Sequence, residues 1–216
     1  STWASSTAAG PAFEGAELSC GMAAVAGAIN SVYTIDGKIE YTTIGDIAPT
    51  GICGSGVIDT LALMKTSGAM DETGYIEEGA FTEEVKGMSA FKICDGVYIS
   101  QEDVRNIQTA KSAIAAGMLA IINSAGLEFE DVQTLYLAGG FGNYMNEENA
   151  AHIGLLPPGA LAKLKNIGNA AGAGAGMTLG FGEYQEESKK IAQASEHVEL
   201  AMSAYFMEKY VDCMMF

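Results

Sequence analysis

Short apolar runs, each ended by glycine, dominate the pattern of this chain. Residues 28–34 and 38–44 flank Asp36-Gly37, a two-residue turn signal that predicts a β-hairpin. Residues 91–94 and 97–99 repeat the arrangement around Asp95-Gly96. Between the two, Thr50-Gly51-Ile52-Cys53-Gly54-Ser55-Gly56 predicts a glycine-rich turn feeding a helix over 57–66. The longest periodic stretch opens at Ser100, which can cap it, with Glu102 and Asp103 in the first turn. Val104, Ile107, Ile114, Met118 and Ile121 then follow at helical spacing until Gly126 ends the run.

The later part alternates faster. Residues 134–138 predict a short buried strand running into Gly139-Gly140-Phe141-Gly142-Asn143. Residues 149–153 read as an ordinary helix. Residues 164–167 predict a second strand, ending in a glycine-rich run from Gly168 to Gly176. A charged helix over 182–194, a strand over 198–201 and a closing helix over 204–214 complete the reading. Residues 71–84 hold six acids and no base, and predict a solvated loop. Short strands that feed helices through glycines argue for an α/β domain.

Composition narrows the function classes. The 216 residues can bury a sizeable core, and 49% hydrophobic against 18% charged residues reads as globular. The 11 bases against 27 acids give a formal charge of −16. Such a surface repels phosphate backbones and anionic bilayers, so neither nucleic acid nor membrane is expected as a partner. The four cysteines, Cys20, Cys53, Cys94 and Cys213, form no CxxC pair. Reduced thiols in a cytoplasmic protein are the expectation, with no metal site in the chain. The first residue is not methionine, and the small polar start predicts a piece of a longer or processed protein. Eleven methionines suit core filling or a partner surface.

Candidate chemistry lies in the glycine turns. A glycine at a strand's carboxyl end lets the backbone approach a ligand, and a helix that follows offers free N–H groups to it. Gly139-Gly140-Phe141-Gly142 and Gly168-Asn169-Ala170-Ala171-Gly172 both fit that position. Each equally fits tight helix–strand packing. Lys111 falls on the apolar arc of its helix, with Gln108 at the edge. A lysine there must snorkel out, pair, or meet a ligand. Glu14 lies in the rigid stretch Ala8-Ala9-Gly10-Pro11-Ala12-Phe13-Glu14-Gly15-Ala16, just before an expected helix. It is either a favourable acid near a helix start or a carboxylate facing a Mg²⁺–phosphate or a water. Two histidines 45 positions apart support no catalytic cluster.

Several strings together carry a resemblance. They are the Ala8 to Ala16 stretch with Ser19-Cys20-Gly21-Met22, Gly51-Ile52-Cys53-Gly54-Ser55-Gly56-Val57-Ile58-Asp59, and Leu137-Ala138-Gly139-Gly140-Phe141-Gly142-Asn143-Tyr144. Ile153-Gly154-Leu155-Leu156-Pro157 and the run from Gly168 to Ala175 complete the set. In this order, over nearly the whole chain, they resemble the carboxyl-terminal part of the reductive activators of corrinoid proteins. That family belongs with the acetate and sugar kinases, Hsc70 and actin. The resemblance implies a ribonuclease-H-like lobe, a mixed sheet flanked by helices, spanning residues 1–216 as most of the second lobe of an ATPase.

It further implies ATP or ADP with Mg²⁺, used to drive electrons from an iron–sulfur cluster in a domain outside this chain to Co(II) of a corrinoid protein. That protein is the implied partner, and the family's Asp-Ile-Gly-Thr phosphate loops are absent from this chain. By position, Gly139, Gly140, Phe141 and Gly142 resemble the adenosine motif. Gln108 and Lys111 resemble ribose- and adenine-facing residues, Gly168, Asn169 and Gly172 close the pocket, and Glu14 lies near the phosphates as the catalytic candidate. A competing reading is a non-catalytic lobe that docks a partner or forms a homodimer.

Overall fold

The computed structural model describes residues 2–140, 142 and 144–216. The first predicted hairpin is present as β2 (Ala28–Ile35) and β3 (Lys38–Thr43), after a short β1 (Thr2–Ala4). Asp36 and Gly37 both take positive φ, 50° and 75°, which matches the right-handed twist of the strands they join. β4 (Gly51–Ile52) adds to β2 in parallel, giving the order β3-β2-β4. A second sheet runs β5 (Thr82–Val85), β6 (Met88–Cys94), β7 (Val97–Ser100), all antiparallel.

Two helices form the centre. α1 (Gly54–Thr66) is buried from Gly54 through Ala62, so its sequence is apolar nearly all round rather than striped. It starts three residues before the predicted helix, with Gly54 and Gly56 inside its first turn. A Cβ on Gly56 would lie 2.5 Å from the Ile29 carbonyl oxygen, so the glycine lets α1 pack directly on β2. α2 (Gln101–Ser124) opens on the predicted cap. The Ser100 hydroxyl accepts from the Asp103 N–H, and the Asp103 carboxylate accepts from the Ser100 N–H. Phe91, Ile99, Ile29, Leu61 and Ile107, all fully buried, join these elements in one core. Burial of each such side chain contributes about 1.5–3 kcal/mol.

The remaining elements are β8 (Leu135–Leu137), α3 (Glu147–His152), β9 (Leu164–Asn166), α4 (Ala170–Gly180), α5 (Gly182–Ala194), β10 (Ser195–His197) and α6 (Ala204–Asp212). β8 pairs with β9 in parallel, and β1 pairs with β10 in parallel.

Five expectations need correction. No helix follows Glu14. Glu17 takes a φ of 63°, and the backbone of Cys20 and Met22 instead bonds Ile52 of β4 at 2.9 Å. The acidic stretch over 71–84 is not all loop. Ile76 is 1% exposed, Met70 and Ile76 form a bridge, and Thr82 begins β5. β8 is half-exposed rather than buried. The run after Gly168 is helical from Ala170, because the Asn169 side chain accepts from the Gly172 N–H and caps it. The late strand lies at Ser195–His197, where Thr2–Ala4 gives it a partner, rather than at 198–201. The methionines divide, with Met64 and Met70 in the core while Met202 and Met207 are exposed.

Candidate functional site

The loop that carries Glu14 is held by close backbone contacts. Pro11 precedes a single 3-10 turn, Ala12–Glu14, and Gly15 ends it at φ 82°. A Cβ on Gly15 would strike the Met22 backbone, so only glycine allows the loop to close on itself. Phe13 is thereby packed into the core while Glu14 is left exposed.

Glu14 and Phe13 form one wall of a cavity of about 600 Å³. Met22, Ala23 and Ala24 continue that wall. Cys53, Gly54 and Ser55, at the amino end of α1, line it together with Asn30 of β2. Gly140 and Tyr144, from the turn after β8, also line it. No side chain caps α1. Its first N–H groups and the positive end of its dipole therefore favour an anionic or polar ligand group. The Ser55 hydroxyl donates to the Asn30 carbonyl at 2.8 Å, which ties the amino end of α1 to β2.

The two predicted glycine turns meet. The Gly139 N–H donates to the Gly168 carbonyl at 2.8 Å, with Gly139 at φ 110° and Gly168 at φ 63°. Asn166 locks the junction, since its side-chain amide donates to the Gly142 carbonyl and its carbonyl accepts from the Gly168 N–H, both at 2.9 Å. A Cβ on Gly142 would lie 2.7 Å from the Leu137 side chain. Asn169 is used as the α4 cap, with Gly172 as its donor. Phe141 lies outside the described residues.

Gln108 and Lys111 lie elsewhere. Lys111 is fully buried on α2, and its ammonium donates to the Cys213 and Met215 carbonyls at 2.6 Å each. It also sits 4.6 Å from the centre of the Phe216 ring. Burial pushes its pKa down to about 8. The Gln108 amide donates to the carbonyls of Met214 at 2.7 Å and Thr73 at 3.0 Å. Neither residue lines the cavity. Among the predicted residues, Glu14 and Gly140 line the cavity, while Gly139, Gly142 and Gly168 are joined by the bonds just described and do not line it. Ser55 and Tyr144 occur in the strings that carry the resemblance but receive no role from the sequence, and Asn30 and Asn166 carry no signal there. Asn166 follows no motif rule, and only its position at the end of β9 marks it.

A second cavity, about 760 Å³, lies against the end of α6 and is lined by Lys65, His152, Met215 and Phe216 among others. His152 accepts or donates to the Thr66 hydroxyl at 3.2 Å, and burial lowers its pKa. Neither predicted glycine turn borders that space.

Over residues 1–216 the chain matches the family described as the C-terminal domain of RACo, the ASKHA domain. The chain belongs to this family. A solved structure, a reductive activator for corrinoid, iron–sulfur protein, superposes with a TM-score of 0.89 at 34% identity. The match covers 98% of this chain and 36% of that one. The corrinoid activation enzyme RamQ of Eubacterium limosum is 36% identical over 99% of this chain and 39% of its own length. The [Co(II) methylated amine-specific corrinoid protein] reductase of Methanosarcina barkeri is 28% identical over 95% of this chain and 41% of its own. The chain thus spans about two fifths of the length of the curated relatives it matches. The ASKHA fold accounts for the mixed sheets flanked by helices.

Among the described residues, no helix is long and apolar enough to cross a membrane. Nor does any group of three His, Cys, Asp or Glu side chains among them gather as metal ligands, and the four cysteines are free thiols.

Proposed function

We propose that this chain is the nucleotide-binding part of an ATP-dependent reductive activator of corrinoid proteins, acting in the cytoplasm on a corrinoid protein of a methyltransferase system. The observation that carries the reading is the cavity of about 600 Å³ between the uncapped amino end of α1 and the glycine turn at Gly140. Its size suits a nucleotide, and its walls combine apolar side chains with few polar groups, as small-molecule sites do. In this reading, ATP or ADP lies with its base and ribose along Gly140 and Tyr144. The α1 amino end and the Ser55 N–H face its polar end. Glu14, exposed on the cavity wall, faces the Mg²⁺-bound phosphates or orients a water. Gly139, Gly142, Gly168, Asn169 and Gly172 shape the turns rather than touch the ligand, while Gln108 and Lys111 hold the carboxyl-terminal segment.

The cysteines do not fit an iron–sulfur cluster. Cys53 is buried with its thiol on the Ile29 carbonyl, and among the described residues no three or more Cys, His, Asp or Glu side chains gather as ligands. The electron donor in this reading therefore resides in polypeptide outside this chain.

The test is ATP-dependent reduction of a Co(II) corrinoid protein by the full-length activator, followed by cobalt absorbance with a low-potential reductant. The reading expects reduction that requires ATP. Reduction at the same rate without nucleotide would overturn it.

A second reading rests on α4 and α5, which bury no residue and expose Leu179 (88%), Phe181 and Ile191. Such a surface suits a docking or homodimer contact. In that reading the chain sediments as a dimer and binds no nucleotide.

A further inference from the structure

A buried acid on α1 has no part in the reading above. Asp59 is 6% exposed, lies in the Gly51 to Asp59 string, and does not line the cavity. None of the ion pairs among the described residues includes it. Its two oxygens instead accept from three donors on two other elements. One oxygen accepts from the Ser31 hydroxyl at 2.9 Å and the Val32 N–H at 3.2 Å, both on β2. The other accepts from the Asn149 side-chain amide at 2.7 Å, on α3.

Two of the three elements line the cavity, and the third follows directly on a turn that does. β2 supplies Asn30, next in sequence to Ser31. α1 supplies Gly54 and Ser55, one turn before Asp59. α3 begins just beyond the turn that supplies Gly140 and Tyr144. A carboxylate accepts only, so it can draw donors from both sides at once. A buried apolar residue in its place would leave three donors unsatisfied.

Building on the nucleotide reading, we propose that Asp59 is a positioning residue for the cavity. It holds α3, and with it the glycine turn, at a set distance from β2 and the amino end of α1. The residue touches no ligand itself.

The arrangement can be tested by exchanging the pair. In Asp59→Asn combined with Asn149→Asp, the amide introduced on α1 accepts from Ser31 and Val32 through its oxygen. Its nitrogen donates to the carboxylate introduced on α3, so every bond is kept. Asn149→Asp alone sets two carboxylates at hydrogen-bond distance. Both variants and the wild type are measured for affinity to a fluorescent ADP and for amide exchange over residues 139–150. The single change should raise exchange there and weaken binding about tenfold or more. The exchanged pair should bring both back to within about threefold of wild type.

The proposal falls if the exchanged pair folds with wild-type melting yet binds as weakly as the single variant. It falls equally if Asn149→Asp leaves exchange over 139–150 unchanged, or raises it evenly across the whole chain. If Asn149→Asp does not fold, the exchanged pair alone decides. If the wild type binds no fluorescent ADP, the nucleotide reading fails, while exchange over 139–150 still decides whether Asp59 holds the turn.

Discussion

Polar groups meet apolar surroundings both in the cavity beside α1 and on the α2 face that carries Gln108, Lys111 and Ser112. On α2 every one of these groups is taken up. Lys111 holds two carbonyls, Gln108 another two, and the Ser112 hydroxyl donates to the Tyr210 carbonyl. The acceptors come chiefly from the end of α6 and the residues after it, where a helix presents its negative end. Beside α1 the reverse holds. The helix end is uncapped by any side chain, Glu14 is exposed, and a Cβ on Gly140 would meet none of the described residues within 4 Å beyond its chain neighbours. Saturation of partners separates a polar latch from a polar site, even where the side chains look alike in sequence.

Lys111→Met should give the largest effect. It removes a buried cation and leaves two carbonyls without donors, which costs on the order of 3 kcal/mol of stability. Nucleotide affinity should not change. Urea unfolding beside a fluorescent ADP titration checks both; intact stability with lost affinity would return Lys111 to the site.

The same residue sets a pH dependence. Its folded pKa of about 8 lies below the ordinary 10.5, so between these values the unfolded chain binds more protons. Stability from this group therefore rises with pH through that window, and its burial cost is fully present below pH 8. The gap between wild type and Lys111→Met should widen by about 2 kcal/mol from pH 8 to 10.5. A constant gap would contradict the buried-ammonium account.

The smallest stability effect is expected at Glu14→Gln, within about 0.5 kcal/mol, because the side chain is exposed. In the presence of Mg²⁺ its ATP affinity should nevertheless shift several-fold. Equal affinities would separate Glu14 from the phosphates.

Much of this contrast was not legible from residue order. Turns and caps were, since Asp36-Gly37, Asp95-Gly96 and the Ser100–Asp103 box act within a few residues. The strings that carry the family resemblance single out Glu14 for the phosphates and Gly140 for the adenosine, and both line the cavity beside α1. The periodicity also put Lys111 on the core face, where the structure buries it. It could not say what met the ammonium, because Cys213 and Met215 lie about a hundred positions away. Glycine misled for the same reason. Gly56 serves contact with β2, while Gly174 and Gly176 in α4 meet nothing within 4 Å, and the sequence writes all three alike.

The central claim is that nucleotide lies between the α1 amino end and the turn at Gly140. Gly140 lines that space without a positive φ, and a Cβ there would meet nothing within 4 Å among the described residues beyond its chain neighbours, so Gly140→Val should fold as the wild type does. Calorimetric titration with Mg·ADP of the wild type, Gly140→Val and Lys111→Met tests the claim directly. The account predicts binding by the wild type and Lys111→Met alike, and loss in Gly140→Val. Undiminished binding by Gly140→Val, or loss only in Lys111→Met, would contradict it.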